Sequence, residues 1–220
     1  MKLNIIFLNT YNARYKDQFF EFLDTNRPDI FCFQEIYSGL EAAVTSSGSL
    51  VDMYYQLRQR LGEEYFGYHY VRQEDWPNST YQKHNPWGNA IFIKKDIEVH
   101  SYLEEFVLGH RNSASSDGDK FSMTLPVGAQ SVTLKANGKT LSITNFHGYY
   151  AGAGVGKGDT PERLLQSKNL LEHIKKLPGQ KILGGDFNLD PDTKSLQILE
   201  GTTLENLIKK YHIEGTRTPR

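Results

Sequence analysis

Asp29-Ile30-Phe31-Cys32-Phe33-Gln34-Glu35 is the stretch on which the fold turns. Its four apolar residues are too few for a helix, and Arg27-Pro28 punctuates them from before, so they read as a buried strand. That strand delivers a Gln-Glu pair to its C-terminal end. Upstream, Leu3 to Leu8 is a second short apolar run, ending at Asn9-Thr-Tyr-Asn12. Between the two runs, Phe19, Phe20, Phe22 and Leu23 recur at helical spacing until Arg27-Pro28 stops the helix. Strand, helix, strand within one short span predicts a βαβ-type start and an α/β class.

Further along, helical periodicity resumes from Met53 to Leu61, after a Gly/Ser/Ala-rich loop at 38–49 that reads as mobile. The texture then becomes β-like: Tyr65 to Arg72, Ala90 to Lys94, Val99 to Leu108 and Phe121 to Leu125 are short runs between polar or Gly/Pro breaks. Asn137-Gly138, set between Val132-Thr-Leu-Lys135 and Thr140-Leu-Ser-Ile-Thr144, is a strong hairpin signal. Pro161 to Leu177 is helical, with Thr160 as N-cap and Pro161 in the first turn. Lys181-Ile-Leu183 is another strand, running straight into Gly184-Gly-Asp-Phe-Asn188. Leu196 to Leu199 and Leu204 to Tyr211 read as helices. No linker-like composition and no repeat divides the chain, so residues 1–220 are expected to form one domain.

The bulk numbers fit that reading. A 220-residue chain buries roughly 70% of its unfolded surface and needs no staple. With 25 Lys+Arg against 26 Asp+Glu, bulk charge argues for no nucleic acid or membrane partner. Cys32 is the single cysteine, which excludes an internal disulfide, and its apolar neighbours assign it to packing. The first apolar run is interrupted by Asn4 and is too short for a signal segment or a membrane span, so a cytoplasmic protein is expected.

Several residues could carry chemistry. Asp186 and Asn188 stand two apart after a buried strand, so a carboxylate and an amide oxygen face one side, the donor type a hard cation prefers. Asx-turns are the competing explanation. Glu35 ends its strand where ligands of open α/β sheets gather. Asn12 offers either a ligand oxygen or a helix N-cap. His147, at the end of Leu141-Ser-Ile-Thr-Asn-Phe-His147, can hold a phosphate oxygen or pass a proton, or serve structure alone. Arg163 and Gln166 share a helix face, and could bind phosphate, brace the loop after His147, or form a solvated surface. The stretch Gly152-Ala-Gly-Val-Gly-Lys157-Gly-Asp-Thr160 is not a nucleotide-binding P-loop, because Gly158 and Asp159 intervene between the lysine and the threonine.

Taken in order, Thr10-Tyr-Asn12, Asp29 to Glu35, Gly88-Asn-Ala-Ile-Phe92, Thr144-Asn-Phe-His147 and Gly185-Asp-Phe-Asn188 resemble the endonuclease/exonuclease/phosphatase superfamily. The resemblance implies a four-layer α/β/β/α sandwich of two packed mixed sheets, with the site at one end. It implies a Mg²⁺ or Mn²⁺ ion bound by Glu35 with help from Asn12. Asp186 and Asn188 would orient the attacking water and bind the phosphoryl group, and His147 would contact the scissile phosphate. Arg163 is an expected phosphate ligand, and the substrate a phosphoester, with nucleic acid one candidate class. The family's closing Ser-Asp-His is not found, and the chain runs to Thr216-Arg-Thr-Pro-Arg220 with no Asp-His dipeptide. Its last strands are therefore expected to be missing, leaving a sheet edge open to self-association. A catalytically silent member that binds a phosphorylated ligand or a protein partner is the rival expectation.

Overall fold

Alternation within one strand sets the layering. In the computed structural model, which describes residues 2–75, 84–113, 115–117, 120–122, 126–152, 154–200 and 204–216, β2 (Ile30–Tyr37) sends its side chains to two different cores. Phe31 and Phe33 point to one face. There they meet Phe19, Phe20 and Leu23 of α1 (Lys16–Thr25) and Met53, Leu57 and Leu61 of α2 (Met53–Leu61). Ile30 and Cys32 point to the other face, against Val132, Leu134 and Ile143 of the second sheet. A strand buried on both faces reads as a continuous apolar run, as this one does. Each such side chain contributes roughly 1.5–3 kcal/mol on burial.

The first sheet contains β1 (Ile5–Asn9), β2, β3 (Tyr65–Gln73) and β4 (Trp87–Lys94) in the order β1-β2-β4-β3. The second contains β5 (Val99–Leu108), β8 (Val127–Ala136), β9 (Lys139–His147) and β10 (Gln180–Asp186) in the order β10-β9-β8-β5. A small separate hairpin joins β6 (Ser115–Asp117) to β7 (Lys120–Ser122). Helix α3 (Pro161–Lys176) and α4 (Lys194–Glu200) cover the outer face of the second sheet through Leu170, Ile174 and Leu199. The result is the expected four-layer sandwich of two mixed sheets.

The two sheets repeat one device. In each, the edge pair is parallel and the remaining pairs are antiparallel: β1 with β2 in the first, β10 with β9 in the second. A helix links the parallel strands each time, α1 in one and α3 in the other. Parallel strands end together, so Asn9 pairs with Gln34, beside Glu35, and Asp186 pairs with His147. All four chemistry-bearing positions thereby arrive at one end of the sandwich.

An amide network ties the sheets just below that end. Buried Asn145 donates to the carbonyls of Phe33 and Ala90 in the first sheet and to Gln130 in its own, while its oxygen accepts from Gln34 at 2.6 Å. The hairpin at Asn137-Gly138 forms as expected, with φ of 54° and 73°. The helix expected over Leu204 to Tyr211 shortens to α5 (Leu207–Lys210), because Asn206 caps it by accepting from Ile208 and Lys209 N–H. Of the strand expected over Phe121 to Leu125, residues 123–125 lie outside the described residues. Among the described residues, no helix is long and apolar enough to cross a membrane.

Candidate active site

Asn9 is the joint of the site. From the end of β1 its amide Nδ2 donates to Glu35 Oε1 at 2.9 Å and to Asp186 Oδ2 at 2.9 Å, linking carboxylates carried by different sheets. Its own oxygen accepts from the Tyr11 N–H. Glu35 reaches this point because β2 bulges there: pairing with β4 slips between Gln34 and Ile36, and Glu35 adopts φ 62°. A non-glycine residue in that region costs on the order of 1 kcal/mol or more, and a bulge re-aims the side chain it carries.

Asn12 arrives from a single 3-10 turn, Tyr11–Ala13, in which all three residues have positive φ. Its Nδ2 donates to Glu35 Oε2 at 2.9 Å, while its oxygen accepts from the Trp87 indole N–H at 2.9 Å. The expected neighbourhood of Asn12 and Glu35 is present, with the amide nitrogen toward the carboxylate. Asn12 steadies Glu35 as a donor, and Asn9 is the amide placed between the two carboxylates.

Asp186 and Asn188 flank a tight reversal. Gly185, at φ 133°, lies so close to the next strand that a Cβ would stand 1.9 Å from the Phe146 carbonyl, which excludes any other residue. The Asp186 Oδ1 accepts from the Asn188 N–H at 2.9 Å, the Asx-type contact that competed with the ligand reading. The other oxygen faces Asn9. Asn188 is buried and donates to the Gly148 carbonyl, while its oxygen accepts from Lys157 Nζ. Its oxygen is thus turned to a lysine whose charge also acts on Asp186.

His147 stands beside Asp186 on the neighbouring strand. Arg72, fully buried on β3, donates to His147 Nδ1 at 2.9 Å and also to the carbonyls of Pro126 and His147. Its guanidinium lies 4.4 Å from the Trp87 ring. Because Arg72 can only donate, Nδ1 accepts and the proton of the neutral imidazole sits on Nε2. That nitrogen lies 3.8 Å from Glu35 Oε1.

The electrostatics follow from burial. Desolvation, reinforced by Asp186, pushes the Glu35 carboxyl above its ordinary range despite the hydrogen bond from Asn9. Burial also lifts Asp186, but attraction to His147, the bonds from Asn9 and the Asn188 N–H, and Lys157 outweigh it and hold the group below the usual range. Burial and the Arg72 charge push His147 down to about 3, so it is a neutral donor at physiological pH. The His147 attraction to Asp186 accordingly operates only in acid. Burial lowers Arg72 to about 10, which leaves it charged.

Arg163 lies elsewhere. It is fully buried in α3, and its guanidinium donates to the carbonyls of Gly158, Gly156 and Tyr149. The expected phosphate-binding role is therefore corrected to that of a brace for the loop after β9. Gln166, beside it, accepts from the Tyr149 N–H. Asp190 serves the turn before α4, as its Asp-Pro-Asp setting suggests.

The donor set suits a small hard cation. Two carboxylates meet through one amide nitrogen, and the hydrogen bonds that reach them come from neutral amides and one backbone N–H. Mg²⁺ is commonly held by one or two carboxylates with the rest of its shell supplied by water and substrate. Among the described residues, no group of three or more His, Cys, Asp and Glu side chains gathers as a larger metal cluster.

Comparison with known proteins gives a consistent outcome. A family profile described as the Endonuclease/Exonuclease/phosphatase family matches residues 9–219. The catalytic domain of human Nocturnin, solved with a bound sulfate anion, superposes with a TM-score of 0.60 at 19% identity, covering 99% of this chain and 76% of that one. An endonuclease/exonuclease/phosphatase from Bacteroides vulgatus gives a TM-score of 0.59 at 19% identity, over 91% of this chain and 71% of that one. A mannosyl-6-phosphatase from Bacteroides thetaiotaomicron gives 0.55 at 16% identity, over 91% and 70%. At these identities the likeness speaks for the fold. No curated protein matches the sequence.

Proposed function

The chain belongs to the endonuclease/exonuclease/phosphatase family, and from that premise we propose that it hydrolyses phosphoester bonds with the help of Mg²⁺ or Mn²⁺. The observation that carries this reading is the Asn9 joint, where Glu35 and Asp186 converge from two sheets on a single amide. Converging charges in a partly desolvated place destabilise the fold unless a cation joins them.

Glu35 would hold that ion, with Asn9 beside it, and the ion would neutralise charge on a phosphoryl oxygen. The remaining work falls to the chain's own groups. Asp186, ionised because its carboxyl sits below the usual range, accepts a hydrogen bond from the attacking water and takes its proton. His147, kept neutral with its proton on Nε2, donates to a phosphoryl oxygen without competing for the water's proton. Asn188 fixes the turn that aims Asp186. The water oxygen attacks phosphorus in line, the bond to the leaving oxygen breaks, and no covalent enzyme intermediate forms.

The substrate is a phosphoester. The Nocturnin domain was solved with a tetrahedral oxyanion and another neighbour is named as a phosphatase, which supports a phosphoester reading and leaves the attached group open. The test is hydrolysis of a phosphomonoester, a phosphodiester and DNA with Mg²⁺, with Mn²⁺ and with chelator. Metal-dependent release that Glu35→Ala and Asp186→Ala both abolish is the expected result. Absence of release from all three substrates with either metal would leave the silent, ligand-binding member as the better reading.

A further inference from the structure

We propose that Lys157, on the glycine-rich loop between β9 and α3, is a phosphate-binding residue that brings its ammonium to the anionic oxygens of the substrate's phosphoryl group. The proposal rests on the phosphoester reading above and adds a residue to that site.

In sequence the loop reads as too free for such a task, with glycines at 152, 154, 156 and 158. The fold removes that freedom from below. Buried Arg163 donates to the Gly156 and Gly158 carbonyls, on either side of the lysine, and to Tyr149 at the loop's start. The Lys157 carbonyl itself accepts from the Asp190 N–H at 2.9 Å. Two residues on, the Asp159 carboxylate accepts from the Lys194 and Ser195 N–H groups and the Ser195 hydroxyl, fastening the loop to the start of α4. The backbone of Lys157 is therefore held on both sides and at its own carbonyl.

Its side chain uses that anchorage in one direction. Residues 154–156 and 158–159 are exposed, whereas Lys157 is half-buried, because it folds back toward the site. The ammonium passes 5.2 Å from the Tyr150 ring centroid and donates to Asn188 Oδ1. There its charge is felt by both Asp186 and His147. A loop lock alone would need no charge at this point, since Arg163 and Asp159 already fasten the loop. A flexible stem ending in a compact cation is a common form in which proteins meet phosphate. Asn188 then serves as the rest for the ammonium at the edge of the Asp186 turn.

The probe is inorganic phosphate, titrated calorimetrically into the whole chain in the presence of Mg²⁺. Wild type is expected to bind it, Lys157→Met to bind it about tenfold more weakly or worse, and Lys157→Arg to keep most of the affinity. Thermal midpoints and Mg²⁺ binding should match across the three proteins, since the loop's anchors are untouched. Where substrate turns over, Lys157→Met should raise KM more than it lowers kcat. Unchanged phosphate affinity in Lys157→Met, or no phosphate binding by wild type, overturns the proposal. Loss restored by neither charge nor length, with a lowered thermal midpoint in Lys157→Arg as well, overturns it in favour of a loop lock. Failure of wild type to bind Mg²⁺ or hydrolyse any phosphoester would strike the parent reading instead, and phosphate binding reports on the lysine separately.

Discussion

Replacing Glu35 with glutamine should stabilise the metal-free protein while disabling it. Glu35 Oε1 and Asp186 Oδ2 each accept from the same Asn9 nitrogen at 2.9 Å, so they stand no more than about 5.8 Å apart. At an effective dielectric near 20, two unit charges at that separation repel by about 3 kcal/mol. Against this, the glutamine presents one NH₂ to amides that are themselves donors, losing a charge-assisted hydrogen bond of roughly 1.5–3 kcal/mol. The balance is a gain of about 1 kcal/mol. Its pH dependence is distinctive. The folded Glu35 carboxyl lies above its unfolded value, so the ionised group penalises the fold at neutral pH, and protonation relieves the penalty in acid. The gain from Glu35→Gln should therefore be largest near neutrality and fade toward pH ~4. Denaturant midpoints in chelator at several pH values measure this. Repeating them with Mg²⁺ should raise wild type, by about 2.7 kcal/mol at a hundredfold excess over Kd, and leave the variant unmoved. A variant less stable than wild type in chelator, and still stabilised by Mg²⁺, would refute the reasoning.

Three further outcomes follow from other contacts. Asn145→Ala removes the amide that joins the sheets and leaves buried partners on Gln34 and Gln130 unmatched, at a cost of about 3–4 kcal/mol in denaturant unfolding; a loss under about 1 kcal/mol would dismiss the network as a tie. Arg72→Gln takes away the charged donor that fixes the His147 tautomer, and kcat should fall about tenfold to hundredfold with KM nearly constant. Wild-type kcat in that variant would show that the imidazole needs no such partner. His69, lowered to about 4 by burial, is neutral in the fold and protonated when unfolded below pH ~6.5. Its contribution is complete above that pH and is lost between ~6.5 and 4, by up to about 3 kcal/mol before solvent screening. His69→Gln should flatten the stability profile over that window, and an unchanged slope would count against the assignment.

The scaffold was more legible than the site because its signals are local. Apolar runs, a helix between them and Pro28 or Pro161 at their margins are enough to place β1-α1-β2 and α3-β10, and parallel pairing then brings Glu35, His147 and Asp186 to one end. Asn9 was within reach of the same logic, standing at a strand end beside Glu35. The orientation of Asn12 is a detail that the sequence does not announce. Three successive residues of positive φ swing Asn12 back so that its oxygen meets Trp87, while Asn9 stays in line with the strand. Arg72 ended an aromatic-rich run as an ordinary surface residue would, and only pairing over 75 positions shows that it carries His147. Arg163 and Gln166 were correctly seen to share a face, but that face turns inward under the loop.

The backbone at this end departs from local preference at three positions, and that bears on function. Glu35, Asn12 and Asn188 all hold left-handed backbone, a region that local sequence preference resists. Each such residue costs free energy that a chain selected for stability alone would shed by taking glycine. Asn12 bonds Glu35 and Asn188 bonds Asp186, so the three surround a pair of carboxylates that repel. Strain, repulsion and burial concentrated in one place are the expected signature of an end prepared for a charged guest. Sequence rules fail here because they describe what stabilises a chain, and at this end the chain is built against that preference.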